Sequence, residues 1–102
     1  MLELRPNCEW CDTDLPPDDT RARICSYECT YCADCAEEVL RNVCPTCGGE
    51  FVRRPIRPAR EWRSGLGLGH HPAGEVRRLT RWTTGDAEEM IRRVGAIAPE
   101  RR

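Results

Sequence analysis

The chain has 102 residues, 32 % of them charged and only 6 % aromatic, so it has length for one small domain and an appendage but little material for a core. No apolar run approaches the ~20 residues of a membrane span, and a pI of about 6.1 lacks the basic footprint of a dedicated nucleic-acid binder. The formal charge of −1 is unevenly spread: residues 1–50 carry eleven Asp/Glu against four Arg, residues 51–102 six against twelve, and lysine is absent. The acidic front and basic back can attract one another, or the back can address an acidic partner.

In chain order, Leu2, Leu4 and Pro6 lead in extended form to the pair Cys8-Glu9-Trp10-Cys11, which reads as a metal-binding knuckle. The opening M-L-E-L-R-P-N has no apolar h-region and no cleavage-site pattern, so the cytoplasm is the expected compartment. Residues 12–23 are polar and proline-rich and mark a loop. Asp12, Asp14, Asp18 and Asp19 read there as solvated turn formers, ahead of a calcium or magnesium site. Residues 24–31 suit a short strand or hairpin carrying Cys25 and Cys29.

Cys32 and Cys35 then open a helix of about two turns, because Ala36, Val39, Leu40 and Val43 fall on one face and Glu37, Glu38 and Arg41 on the other. At that helix start the dipole favours thiolate over thiol. Cys44-Pro45-Thr46-Cys47-Gly48-Gly49 forms the second knuckle, Phe51 and Val52 a closing strand, and residues 53–58 a stiff, polyproline-like strip. Residues 59–75, rich in glycine, read as a flexible linker, with His70 and His71 as linker residues ahead of ligands. A basic stretch and a second helix near 86–94 follow: Asp86 with Glu89 three residues on starts it, Ala87, Met90, Ile91 and Val94 make its apolar face, and Gly95 stops it. A helix this short must dock on something. The expected division is therefore a two-zinc domain (1–58), a linker (59–75), a basic amphipathic segment (76–95) and a tail (96–102).

The eight cysteines make the ladder C-x2-C, x13, C-x3-C-x2-C-x2-C, x8, C-x2-C. Two thiolates two residues apart grip one tetrahedral ion, and structural Zn²⁺ takes four, so eight cysteines fit two closed zinc sites with none left over. Disulfides suit a small secreted chain and clustered C-x2-C pairs poorly, and spacing by itself also admits iron. Taken as pairs, the ligands divide in three ways. Sequential sites make two fingers with little core each, and nested sites crowd Cys25, Cys29, Cys32 and Cys35 onto one ion. Interleaved sites put Cys8, Cys11, Cys32 and Cys35 on one zinc and Cys25, Cys29, Cys44 and Cys47 on the other. The order of knuckle, hairpin and ligand-bearing helix is the treble-clef arrangement and favours interleaving. The expected fold is a small zinc-stabilised α+β domain with little regular secondary structure.

The ladder is similar to that of RING-type cross-brace zinc domains, with Cys29 where the usual pattern has histidine. The segment holding L-P-P-D, I-C-S-Y-E-C-T-Y-C-A-D-C-A-E, C-P-T-C-G-G-E and R-R-P-I-R-P resembles the small bacterial domain-of-unknown-function family 1272, over about the first 58 residues. That resemblance implies a compact zinc domain and brings no assigned activity. The RING resemblance assigns Trp10 and Pro45 to a groove for a ubiquitin-conjugating enzyme. It also has Gly48 where such ligases often carry a basic residue, and the bacterial likeness argues against ubiquitin chemistry.

Closed four-thiolate sites leave no position for water or substrate, and no nucleophile triad, phosphate loop or acid/base pair stands out, so a non-catalytic module that binds another protein is the expected function. Trp10 and Trp62 with the proline-arginine strip that holds Arg53, Arg54 and Arg57 are its candidate anchors. Nucleic-acid binding through Arg77, Arg78, Arg81 and Trp82, with Arg53, Arg54, Arg57 and Arg60 as a second basic strip, is the alternative. No membrane or small-molecule partner is expected, and oxidative zinc release has no special support.

Overall fold

Ala22–Ile24 (β1) and Thr30–Cys32 (β2) form an antiparallel hairpin in the register Ala22↔Cys32, Ile24↔Thr30. Cys25 and Cys29 therefore lie in the connecting turn, not on the strands, and Glu28 there takes the left-handed conformation (φ 68°). Val52–Arg53 (β3) pairs with the other edge of β1, so β1 is central in a three-stranded sheet ordered β2-β1-β3. Ala22, Ile24 and all of β2 are buried, with Tyr31 edge-on to Phe51 at 5.3 Å between ring centroids. The computed structural model describes all of residues 1–102.

After β2 the chain enters a π-helical turn, Cys35–Val39, in which the Leu40 N–H reaches back to the Cys35 carbonyl. Such i→i+5 bonding widens the turn and departs from the expected α-helical face. Ala36, Leu40 and Val43 are buried, but Val39 stays 38 % exposed. Arg41 and Asn42 then both take positive φ (49° and 60°) and end the helix short of the expected two regular turns.

The C-terminal helix, α1 (Thr84–Val94), starts two residues before the expected boundary. Its N-cap is Thr83, whose hydroxyl accepts from the Asp86 N–H while the Asp86 carboxylate accepts from the Thr83 N–H. Asp86 thus occupies the third helical position of a capping box, and the expected Asp86–Glu89 start is displaced by a better one. Thr83→Ala is expected to cost about 1 kcal/mol, read as a lower urea midpoint and earlier fraying of the Gly85 and Asp86 amides.

Residues 76–102 dock on the cysteine-rich front. Ala87 is buried, and the Met90 sulfur and a Val94 methyl lie within 3.7 Å of where a β-carbon on Gly48 would be. Arg102 donates to the carbonyls of Asn42 and Gly48. The Thr80 N–H donates to Glu9 O, and Arg77 forms ion pairs with Asp12 and Asp14. Acidic front and basic back do meet. Residues 57–74 fold back as well, with Leu68 N–H on Pro58 O and Gly74 N–H on Leu4 O. No helix is long and apolar enough to cross a membrane.

Candidate metal centres

The sulfurs of Cys8, Cys11, Cys32 and Cys35 all lie within 4.8 Å of one another, and so do those of Cys25, Cys44 and Cys47. The first knuckle thus meets the junction of β2 and the π-turn, and the hairpin turn meets the second knuckle. Cys29 neighbours Cys25 and Cys44 but does not come within 4.8 Å of all three sulfurs of its group. Two cysteine groups could hold metal ions.

Local backbone geometry prepares the sulfurs as acceptors. Cys8 Sγ accepts from Cys11 N–H at 3.5 Å, Cys32 Sγ from Cys35 N–H at 3.5 Å, Cys25 Sγ from Tyr27 N–H at 3.3 Å and Cys47 Sγ from Gly49 N–H at 3.4 Å. Such bonds favour thiolate over thiol. Crowding opposes it. Burial pushes the Cys8 thiol up and, with Cys32 beside it, the Cys35 thiol as well. Burial also works against ionising Cys11, yet the Thr13 hydroxyl and N–H outweigh it and bring that thiol down to about 7. In the second group, hydrogen bonds from Cys29 and then Cys44 bring Cys25 down to about 3, while Cys44, held between Cys25 and Cys29, is pushed up. Thiolates held this close repel one another unless a cation lies between the sulfurs. The donor set fits a thiophilic dication.

Several residues that sequence reasoning put on a partner surface serve the fold instead. Arg54 is 1 % exposed, and its guanidinium donates to the carbonyls of Arg5, Leu15 and Pro16. Arg53, the last residue of β3, stays exposed, while Arg54 just beyond it turns in onto carbonyls of the amino-terminal lead and the proline-rich loop. Arg57 is likewise spent on Leu2 O and His71 O. Pro45 is buried, and Trp10 packs half-buried on the core. Arg77 pairs with Asp12 and Asp14, Arg78 with Glu3, and Arg81 stacks over the Trp82 ring at 4.6 Å. Trp82 donates its indole N–H to the Thr46 hydroxyl. Arg53, Arg60 and Trp62 are exposed. His70 pairs with Glu61 at 3.0 Å, away from both sulfur groups.

Two polar side chains, Asn7 and Glu9, tie the first knuckle into the fold. Asn7, fully buried, bonds the backbone of Arg78 with both ends of its amide. Glu9, inside the first knuckle, accepts from Thr30 N–H at 2.6 Å and from Arg5 at 3.0 Å. Both are polar residues at or beside the first knuckle, a signal that does not by itself distinguish a buried bond-maker from a solvated turn residue.

The model of the family described as "Protein of unknown function (DUF1272)" matches residues 1–57, the part that contains both sulfur groups and β1 to β3. The chain belongs to the DUF1272 family. This DUF1272 protein is 68 % identical over 59 residues to an uncharacterized protein of Rhizobium meliloti (strain 1021), an alignment covering 58 % of this chain and 70 % of the relative. No solved structure matches it. Residues 58–102, including α1, lie beyond the matched DUF1272 region.

Proposed function

We propose that the protein is a non-catalytic zinc module, in which two Zn²⁺ ions hold an interaction surface for another protein. The observation that carries this is the pairing of crowded sulfurs with backbone N–H donors: four sulfurs in one group, three with Cys29 beside them in the other. Cys8, Cys11, Cys32 and Cys35 would hold one ion, and Cys25, Cys29, Cys44 and Cys47 the other. Thiolate softness and tetrahedral demand favour zinc over harder cations. An all-cysteine tetrad has no vacant position, so the ion's contribution would be structural.

The nucleic-acid alternative is weakened by where the arginines are. Arg54 and Arg57 are tied to carbonyls, and Arg77 and Arg78 to carboxylates of the same chain. A RING-like ligase reading fares no better. Pro45 is buried and shares a small cavity with Trp82, Met90 and Arg93, so the C-terminal segment lies across the face that the resemblance assigns to a conjugating enzyme.

Elemental analysis of the purified chain, followed by affinity capture with and without chelator, tests the proposal. The expected result is two zinc per chain and a stoichiometric protein partner that is lost on chelation. Iron in place of zinc, sulfurs titrating as disulfides, or capture of nucleic acid alone would overturn it.

A further inference from the structure

We propose that the closed loop spanning residues 57–71 is a docking site for an acidic peptide segment that carries one bulky apolar side chain. It rests on the protein-interaction reading above and gives the partner a chemistry. The loop surrounds a cavity of about 370 Å³ whose walls include Pro58, Trp62 and Leu66, with Arg60 and Arg63 beside them. Trp62 is 73 % exposed and Leu66 55 %. A concave apolar surface that leaves an indole in water is characteristic of an interaction site, and tryptophan and arginine are the residue types that dominate such sites.

The cup is held in shape before anything binds. Leu68 N–H donates to Pro58 O at 2.9 Å, and the N–H groups of His70 and His71 both reach Gly67 O. Arg57 clamps the far end by donating to His71 O and Leu2 O. Gly67 makes the closure possible: its φ is +113°, and a β-carbon there would stand 3.0 Å from Arg60 O and 3.1 Å from Pro58 O. A preformed cup spares a ligand much of the ordering cost of binding.

Charge identifies the occupant. Arg5, Arg21, Arg23, Arg77 and Arg78 each face a carboxylate of the chain. Arg60 and Arg63 face none, as is true of other arginines of the chain, but at this cavity they stand beside Arg57, which is already spent on carbonyls. The one acid of their own loop, Glu61, is occupied by His70 and by the Gly65 N–H. Two free guanidiniums flanking an apolar cup match one or two carboxylates flanking an apolar side chain. A nucleic-acid strand would need a run of cations along its backbone, and the neighbouring Arg54 and Arg57 are already engaged.

The zinc-loaded, ¹⁵N-labelled full chain should be titrated with acetyl-Asp-Glu-Phe-Asp-Glu-amide, with its counterpart in which lysine replaces every acid, and with a single-stranded oligothymidylate. The acidic peptide is expected to move the Trp62 indole signal and the amide signals of residues 65–71. It should bind at least roughly tenfold more tightly than the lysine peptide. Arg60→Glu combined with Arg63→Glu should weaken it by a similar factor, as should Trp62→Ala, with zinc content unchanged. No shift at these signals with millimolar peptide, equal binding of the lysine peptide, or tighter binding of the oligonucleotide would overturn the proposal. Two zinc per chain with no peptide binding would remove this docking site and leave the zinc module standing, whereas a chain lacking zinc would remove the module itself.

Discussion

Exhaustive chelation is expected to unfold residues 1–57 and to release α1 from them. Five of the fifteen apolar residues of the core are cysteines, and the strands are two or three residues long. Ordering the backbone and side chains costs about 1.5 kcal/mol per residue, which burial in so small a domain roughly cancels. A structural zinc contributes on the order of 10–16 kcal/mol in peptide hosts at neutral pH. Without a cation, the buried sulfurs must be protonated or repel one another, and neither state holds the knuckles in place. Cys44→Ser should act like chelation at one centre, because Cys44 is wholly buried and its N–H and C=O close the second knuckle onto Gly49 and Gly48. Amide dispersion in a ¹H–¹⁵N spectrum, followed against added chelator, reads the result. Signals of α1 should collapse together with those of the front, since Met90 and Val94 pack at Gly48, next to Cys47 of the second sulfur group. A well-dispersed spectrum at zero metal would contradict the expectation.

The second large effect is expected at Arg54. Its guanidinium satisfies carbonyls from three residues, at 2.8 Å on Arg5 and 3.2 Å on both Leu15 and Pro16. It thereby joins the amino-terminal lead, the acidic loop and β3. Arg54→Met keeps most of the apolar stem and strands the carbonyls, so a loss of about 3 kcal/mol or more is expected. Arg54→Lys should recover little, because an ammonium is a point charge and cannot span the three acceptors as a planar fork does. Arg53→Met, one residue away and exposed, should stay within about 0.5 kcal/mol of the parent. Urea midpoints at one fixed free-zinc concentration compare the three. A drop under about 1 kcal/mol for Arg54→Met would show that the buried guanidinium is dispensable.

The places where sequence reasoning and structure diverge share a cause. Periodicity assigned Val39 to the apolar face, but the π-turn rotates it outward. Composition assigned Arg54 to a basic strip with Arg53 and Arg57, yet Arg54 turns inward onto backbone carbonyls while its neighbour Arg53 stays exposed. Residues 59–75 read as a flexible linker by composition. In the fold, Gly67 supplies a backbone conformation that closes a loop, which glycine content by itself cannot distinguish from slack chain. The start of α1 moved by two residues because Thr83 and Asp86 make a reciprocal cap, and a threonine next to an aspartate-glutamate run offers more than one candidate cap.

What the amino-acid order determined by itself is the chemistry of the front half. Eight cysteines at short, regular intervals, in a chain with so few large apolar residues, define two sulfur groups whatever the details of the loops. The attraction between an acidic front and a basic back was legible in the same way, from charge counts. Only the tertiary structure decided which charges remain free for a partner. Hydrogen bonds from Arg54, Arg57 and Arg77 are made to groups 14 to 65 residues away, and a guanidinium meets a distant carbonyl only after the chain has closed. Local order specifies what each side chain can do; long-range contacts specify which of them have already done it.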